Sequence, residues 1–265
     1  MRHNVEVIKL QSPNQIISAL VYPEFGGRVG SLTLDSHELF ISSADNNDPL
    51  SWGCYPMVPY AGRVRNGLLN FGGDEFSLRK NLPPHSIHGT VFDQSWFVVS
   101  HSSSTALLET DLGPEWPFVG TVQHHIEITN NGIELQLNVN AKKSMPIQVG
   151  WHPWFVKPDR TELHFGAMLQ RDTVGIATEV RIPQPTTHVD DCFVDPEKPL
   201  TITIGTVQVT LSSDCSHWVL YDMPPHATCI EPQSGPPNGI NAEPLVLSGN
   251  SILTKKFIID LQKIA

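Results

Sequence analysis

The chain has 265 residues, 40% of them apolar and 17% charged, which suffices for a sizeable core and excludes a disordered chain. Acidic residues outnumber basic ones by 27 to 17, a formal net charge of −10, which argues against the basic stripe of a nucleic-acid surface. No run approaches the roughly 18 apolar residues of a membrane span, and the N-terminus shows no apolar leader, so a cytoplasmic location is expected.

Alternation of apolar and polar residues predicts strands near 5–10, 15–22 and 28–34, then near 95–100 and 105–110. Ile126 and Ile128 alternate with Glu127 and Thr129; Ile133, Leu135, Leu137 and Val139 alternate with Glu134, Gln136, Asn138 and Asn140. Asn130-Asn131-Gly132 lies between the two runs and predicts a hairpin. A short β-like run over 145–149 follows, with further strands near 200–204, 206–211 and 252–261. Proline clusters at 183–199 and 224–244 predict long loops crossing an edge or a cleft. There is no helical stripe of ten residues, no fixed-period repeat, and neither GxGxxG nor GxxxxGK[ST]. One all-β, antiparallel domain spanning residues 1–265 is the expected architecture.

Four segments carry candidate chemistry. Gly150-Trp151-His152-Pro153-Trp154-Phe155 places a histidine among aromatic residues, which suits a sugar-binding wall and equally a packed core histidine. Arg63 and Arg65 stand two apart and would share a face on an extended backbone, and His85 and His88 follow about 20 residues later. Glu231 ends an apolar run before a Pro/Gly-rich loop; in a cleft, desolvation would raise its pKa and make it a better base. Asp190 and Asp191 precede Cys192-Phe193 and suit either a turn or a polar contact. His124 and His125 are adjacent and would face opposite ways on a strand, and no HExxH occurs, so no metal is expected. Cys54, Cys192, Cys215 and Cys229 show no CxxC spacing, so neither a disulfide framework nor a zinc knuckle is expected.

Taken in order, FGGRVGSLTLDSHELF, PYAGRVRNGLLNFGGDEFSL with NLPPHSIHG, GWHPWF, DDCF and CIEPQSGPPNGIN resemble the successive motifs of the aldose 1-epimerases, also called galactose mutarotases. The resemblance covers roughly residues 5–262. It implies a large galactose mutarotase-like β-sandwich with few short helices, a sugar cleft across one sheet, and interconversion of α and β anomers without a cofactor. By motif position it implies Glu231 as general base, His152 as general acid and His88 as a hydrogen-bond partner near the ring oxygen and C1. Arg63 and Asp190 would hold sugar hydroxyls, with Asp191 the competing aspartate, and Trp154 would line the pocket where many relatives carry tyrosine.

A related branch acts on hexose 6-phosphates, for which Arg65 and Lys80 are the nearby cations. The net charge favours a neutral aldose instead. A non-catalytic sugar-binding module is the remaining alternative, and the joint presence of His88, His152 and Glu231 weighs against it.

Overall fold

The computed structural model describes residues 7–43 and 48–264; residues 5 and 6 of the first expected strand lie outside them. Among the described residues, eleven strands form one antiparallel sheet and eight form another. Ten strands of the larger sheet run in the order Ile8–Gln11, Ile17–Tyr22, Arg28–Leu34, Cys54–Met57, Gly150–Val156, Ala227–Gln233, His217–Tyr221, Asp190–Pro196, Phe165–Arg171 and Ala177–Ile182. His37–Glu38 pairs beside Arg28–Leu34. Among the described residues, the helical content is one turn at Gly239–Ala242 and a 3-10 turn at Arg65–Gly67.

The alternating runs behave as their pattern dictates. Gly120–Ile128 buries every second residue, and so does most of Gly132–Ala141, with Ile128 facing Ile133 across the expected hairpin. One core joins the sheets: Trp151, Phe155, Phe193 and Ile230 from the larger meet Leu108, Val122, Leu135, Val209 and Ile259 from the smaller. Sheet-on-sheet burial of this kind supplies most of the folding free energy, at about 25 cal/mol per Å² of apolar area.

The proline clusters depart from expectation in part: within them Asp190–Pro196 and Ala227–Gln233 are strands of the larger sheet rather than loops, the second containing the apolar run that ends at Glu231. Ala227–Gln233 is buried on both faces, as are Cys192, Phe193 and Val194. A strand covered on both sides has no polar face to alternate with, so its sequence carries no period-two signal.

A polar contact also crosses the core. His124, on the smaller sheet, donates from Nδ1 to the carbonyl of Gly27 at 3.0 Å and accepts at Nε2 from the Trp151 indole at 3.2 Å. Those partners demand a neutral ring with its proton on Nδ1. Burial accordingly pushes His124 down to about 4 from an ordinary 6.5, a penalty of roughly 3 kcal/mol on the charged form. Between pH 6.5 and about 4 the unfolded chain binds a proton at this residue that the folded chain refuses, so stability falls as pH falls. Buried His88 and His152 add to that slope, while the raised carboxyl of Glu231 opposes it. In urea titrations from pH 7 to 4, His124→Gln is expected to flatten the decline by about one proton per chain.

Candidate active site

Five neighbouring strands of the larger sheet turn one set of side chains to the core and the other set away from it. Their registers sort the outward set into rows. Tyr55 pairs with His152. Gly150 opposite Gln233 and Trp154 opposite Cys229 bring His152 level with Glu231, which itself pairs with Val219. The next row holds Trp154, Cys229, Tyr221 and Asp190. These rows floor a cavity of about 290 Å³, which is also lined by Arg63, Leu82, Ile87, His88, Gln233 and Pro237.

His152 Nε2 lies 3.2 Å from Glu231 Oε1, and both side chains are almost fully buried. The other carboxylate oxygen accepts from Gln233 Nε2 at 3.0 Å. Burial, and then the charge of Asp190, drive the Glu231 pKa well above that of an ordinary carboxylic acid; Gln233 and Arg63 pull the other way. Burial pushes His152 down to about 3. When the pair holds a single proton, burial thus places it on the carboxyl side.

His88 reaches the same point from another segment. It adopts a left-handed backbone, with φ of 61°, uncommon for a residue other than glycine. Its backbone N–H donates to Gly62 O at 3.2 Å, and Gly62 N–H donates back to the ring Nδ1 at 3.3 Å. With Nδ1 accepting, the neutral ring carries its proton on Nε2. Burial and the neighbouring His152 and Arg63 keep that ring neutral. The following residue must be glycine: a Cβ on Gly89 would stand 2.0 Å from Val58 O.

The donor atoms of His88, His152 and Glu231 all lie within 4.8 Å of one another. This is also the set that would hold a divalent ion. The buried Nδ1 of His152 reaches no other residue.

The remaining candidates divide. Arg63 lines the cavity and bonds Asp190 at 3.0 Å and Gly175 O at 3.4 Å. Asp190 faces the cavity; Asp191 sits on the opposite face of its strand, with Arg171 at 3.3 Å. Arg65 pairs with Asp172 at 2.5 Å, and Lys80 is not part of the lining. His85 accepts from Asn66 N–H and contacts Val174 O, outside the His88–His152–Glu231 cluster. Trp154 forms part of the wall, but its indole N–H is committed to Leu50 O at 2.8 Å. Sequence reasoning missed Gln233 and Tyr55. Gln233 was findable, since it stands two residues after Glu231 on the same strand and must share its face.

A sequence profile described as aldose 1-epimerase matches residues 6–233. This chain belongs to the aldose 1-epimerase family. The fold of the GalM/aldose epimerase homologue from C. elegans superposes with a TM-score of 0.85 at 14% identity, covering 98% of this chain and 99% of that one. Galactose 1-epimerase from Lactobacillus acidophilus gives 0.82 at 16% identity, over 100% and 97% of the two chains. The Escherichia coli K12 protein YphB is 24% identical over 141 residues, a match spanning 52% of this epimerase-family chain and 49% of YphB.

Gln233→Leu removes the side-chain donor to Glu231. In carbon-13 NMR of the glutamate carboxyls, Glu231 is expected to titrate last among those of the wild-type chain, and later still in this variant. Unchanged titration in the variant would show that the 3.0 Å contact does not hold the carboxylate.

Proposed function

We propose that the protein is a cofactor-independent mutarotase acting on a neutral aldose. The observation that carries this reading is the buried His152–Glu231 pair at 3.2 Å, with His88 converging on it. Ring opening needs a base at the C1 hydroxyl and an acid at the ring oxygen, and a carboxylate beside an imidazole supplies both.

In the proposed cycle Glu231 takes the proton from the C1 hydroxyl. The oxygen's electron pair forms the aldehyde C=O, the bond from C1 to the ring oxygen breaks, and that oxygen takes a proton from His152. After rotation about C1–C2 the same hydroxyl attacks the other face of the aldehyde. It returns its proton to His152, and the carbonyl oxygen recovers the proton from Glu231. His88, neutral and donating from Nε2, would hydrogen-bond the oxygen on which charge develops.

The pair holds one proton throughout. In this cycle the closed sugar reacts with that proton on His152, and the proton stands on Glu231 while the sugar is open. Burial raises the carboxyl and lowers the imidazole, so the open form carries the proton arrangement that the site prefers, and the closed form reacts from the less favoured one.

The charge balance of the cavity favours a neutral substrate. Asp48, Asp190 and Glu231 line it against Arg63, and Arg63 is already bonded to Asp190. Arg171 is bonded to Asp190 and Asp191, and Arg65 to Asp172. A phosphate dianion would need cations not already neutralised in this way.

Polarimetry of freshly dissolved α-D-glucose and α-D-galactose tests the proposal. The wild type is expected to speed the approach to equilibrium. Glu231→Gln and His152→Asn should each lose about 10²- to 10⁴-fold while circular dichroism stays unchanged. Near-normal rates in both variants would falsify the acid–base assignment. Acceleration restricted to hexose 6-phosphates would overturn the choice of a neutral substrate.

A further inference from the structure

A histidine that passes a proton along a fixed line needs a fixed ring plane. The usual device is a hydrogen bond from another residue to its second nitrogen, and the buried Nδ1 of His152 reaches no residue but its own. Two rings instead lie nearly parallel to the imidazole. Tyr55 stacks at 4.9 Å between centroids with planes 20° apart, and Trp154 at 5.4 Å and 15°.

Both rings are anchored to one atom. The Tyr55 hydroxyl donates to Leu50 O at 3.2 Å, and the Trp154 indole donates to the same carbonyl at 2.8 Å. Tyr55 is also held by a cation. The guanidinium of Arg28 lies 5.0 Å from the Tyr55 centroid and 4.2 Å from that of Trp52. Arg28 is fully buried and donates to Phe25 O, Trp52 O and Phe92 O at 2.7, 2.9 and 2.8 Å. The glycine pair before it makes this possible: a Cβ on Gly26 would stand 1.8 Å from Phe92 O. The FGGR segment therefore turns a charged side chain inward, beneath the ring that meets His152.

We propose that Tyr55 is a positioning residue that fixes the ring plane of His152, itself held by the Leu50 carbonyl and by Arg28. The proposal rests on the reading of His152 as a proton carrier. Tyr55 takes no proton itself, because burial and the nearby Glu231 hold its phenol far above the usual range. Its contribution is a surface, not a charge.

Three variants on the full chain separate this role from plain stability. Tyr55→Phe keeps the ring and loses the hydroxyl anchor. Tyr55→Leu removes the ring, and Tyr55→Met fills the space without a plane should leucine fail to fold. The ring-less variants are expected to lose about 10- to 100-fold in kcat with KM held within about threefold, and Tyr55→Phe to recover most of that loss. In nitrogen-15 NMR of the imidazoles, His152 should show one tautomer in the wild type and an average in the ring-less variants, with His124 unchanged as the internal control.

Wild-type kcat in a folded ring-less variant, or an unaltered His152 signal, would overturn the proposal. So would a fall in Tyr55→Phe as large as in the ring-less variants, since the ring alone would then not be what counts. Should the wild type prove inactive on every aldose, the mutarotase reading falls, while the imidazole spectra still decide whether Tyr55 orients His152.

Discussion

The structure depends on a register. Gly150 opposite Gln233 and Trp154 opposite Cys229 bring a histidine and a glutamate from strands about 80 residues apart in sequence to one level of one sheet face. A slip of one residue would turn every side chain of a strand to the other face. His152 would then enter the core and Trp151 the cavity. Trp151, Phe155 and Ile230 on the core side hold that register, so the hydrophobic contacts between the sheets also set the distance between His152 and Glu231.

Burial then does the electrostatic work. Of the two groups, one is an acid raised by desolvation and the other a base lowered by it. Desolvation disfavours the ion pair and favours the neutral one. The counterweights are few and specific: Gln233 on the free carboxylate oxygen, Arg63 nearby, and Asp190 opposing both. The site is thus a narrow balance between low dielectric and a handful of dipoles.

The sequence disclosed the fold class and the central cluster to different depths. Strands with one wet face, such as Gly120–Ile128, are plain in the pattern because water demands a polar residue at every second position. Ala227–Gln233 showed as an apolar run without alternation because both of its faces are dry, and Asp190–Pro196 lacked alternation because its buried residues, Cys192, Phe193 and Val194, are consecutive. His88, His152 and Glu231 were legible through their motifs, and the structure brings their donor atoms together. Tyr55 was not legible. Its importance comes from lying beside His152 across two strands and above Arg28, and neither neighbour is near it in sequence. The division between Asp190 and Asp191 was equally invisible, since it rests on which way a strand faces.

One consequence of the pleat concerns how such a protein can diverge. Along each of the central strands, odd and even positions answer to separate demands: one set packs the interior, the other faces the cavity. Trp151 and Phe155 alternate with His152 and Trp154 on a single strand of seven residues. Mutation can therefore rewrite the cavity-facing positions while the interior positions, and the backbone course they maintain, stay as they were. A backbone shared at a TM-score of 0.85 with only 14% identity is compatible with that independence, in which side chains drift over a scaffold that need not drift with them.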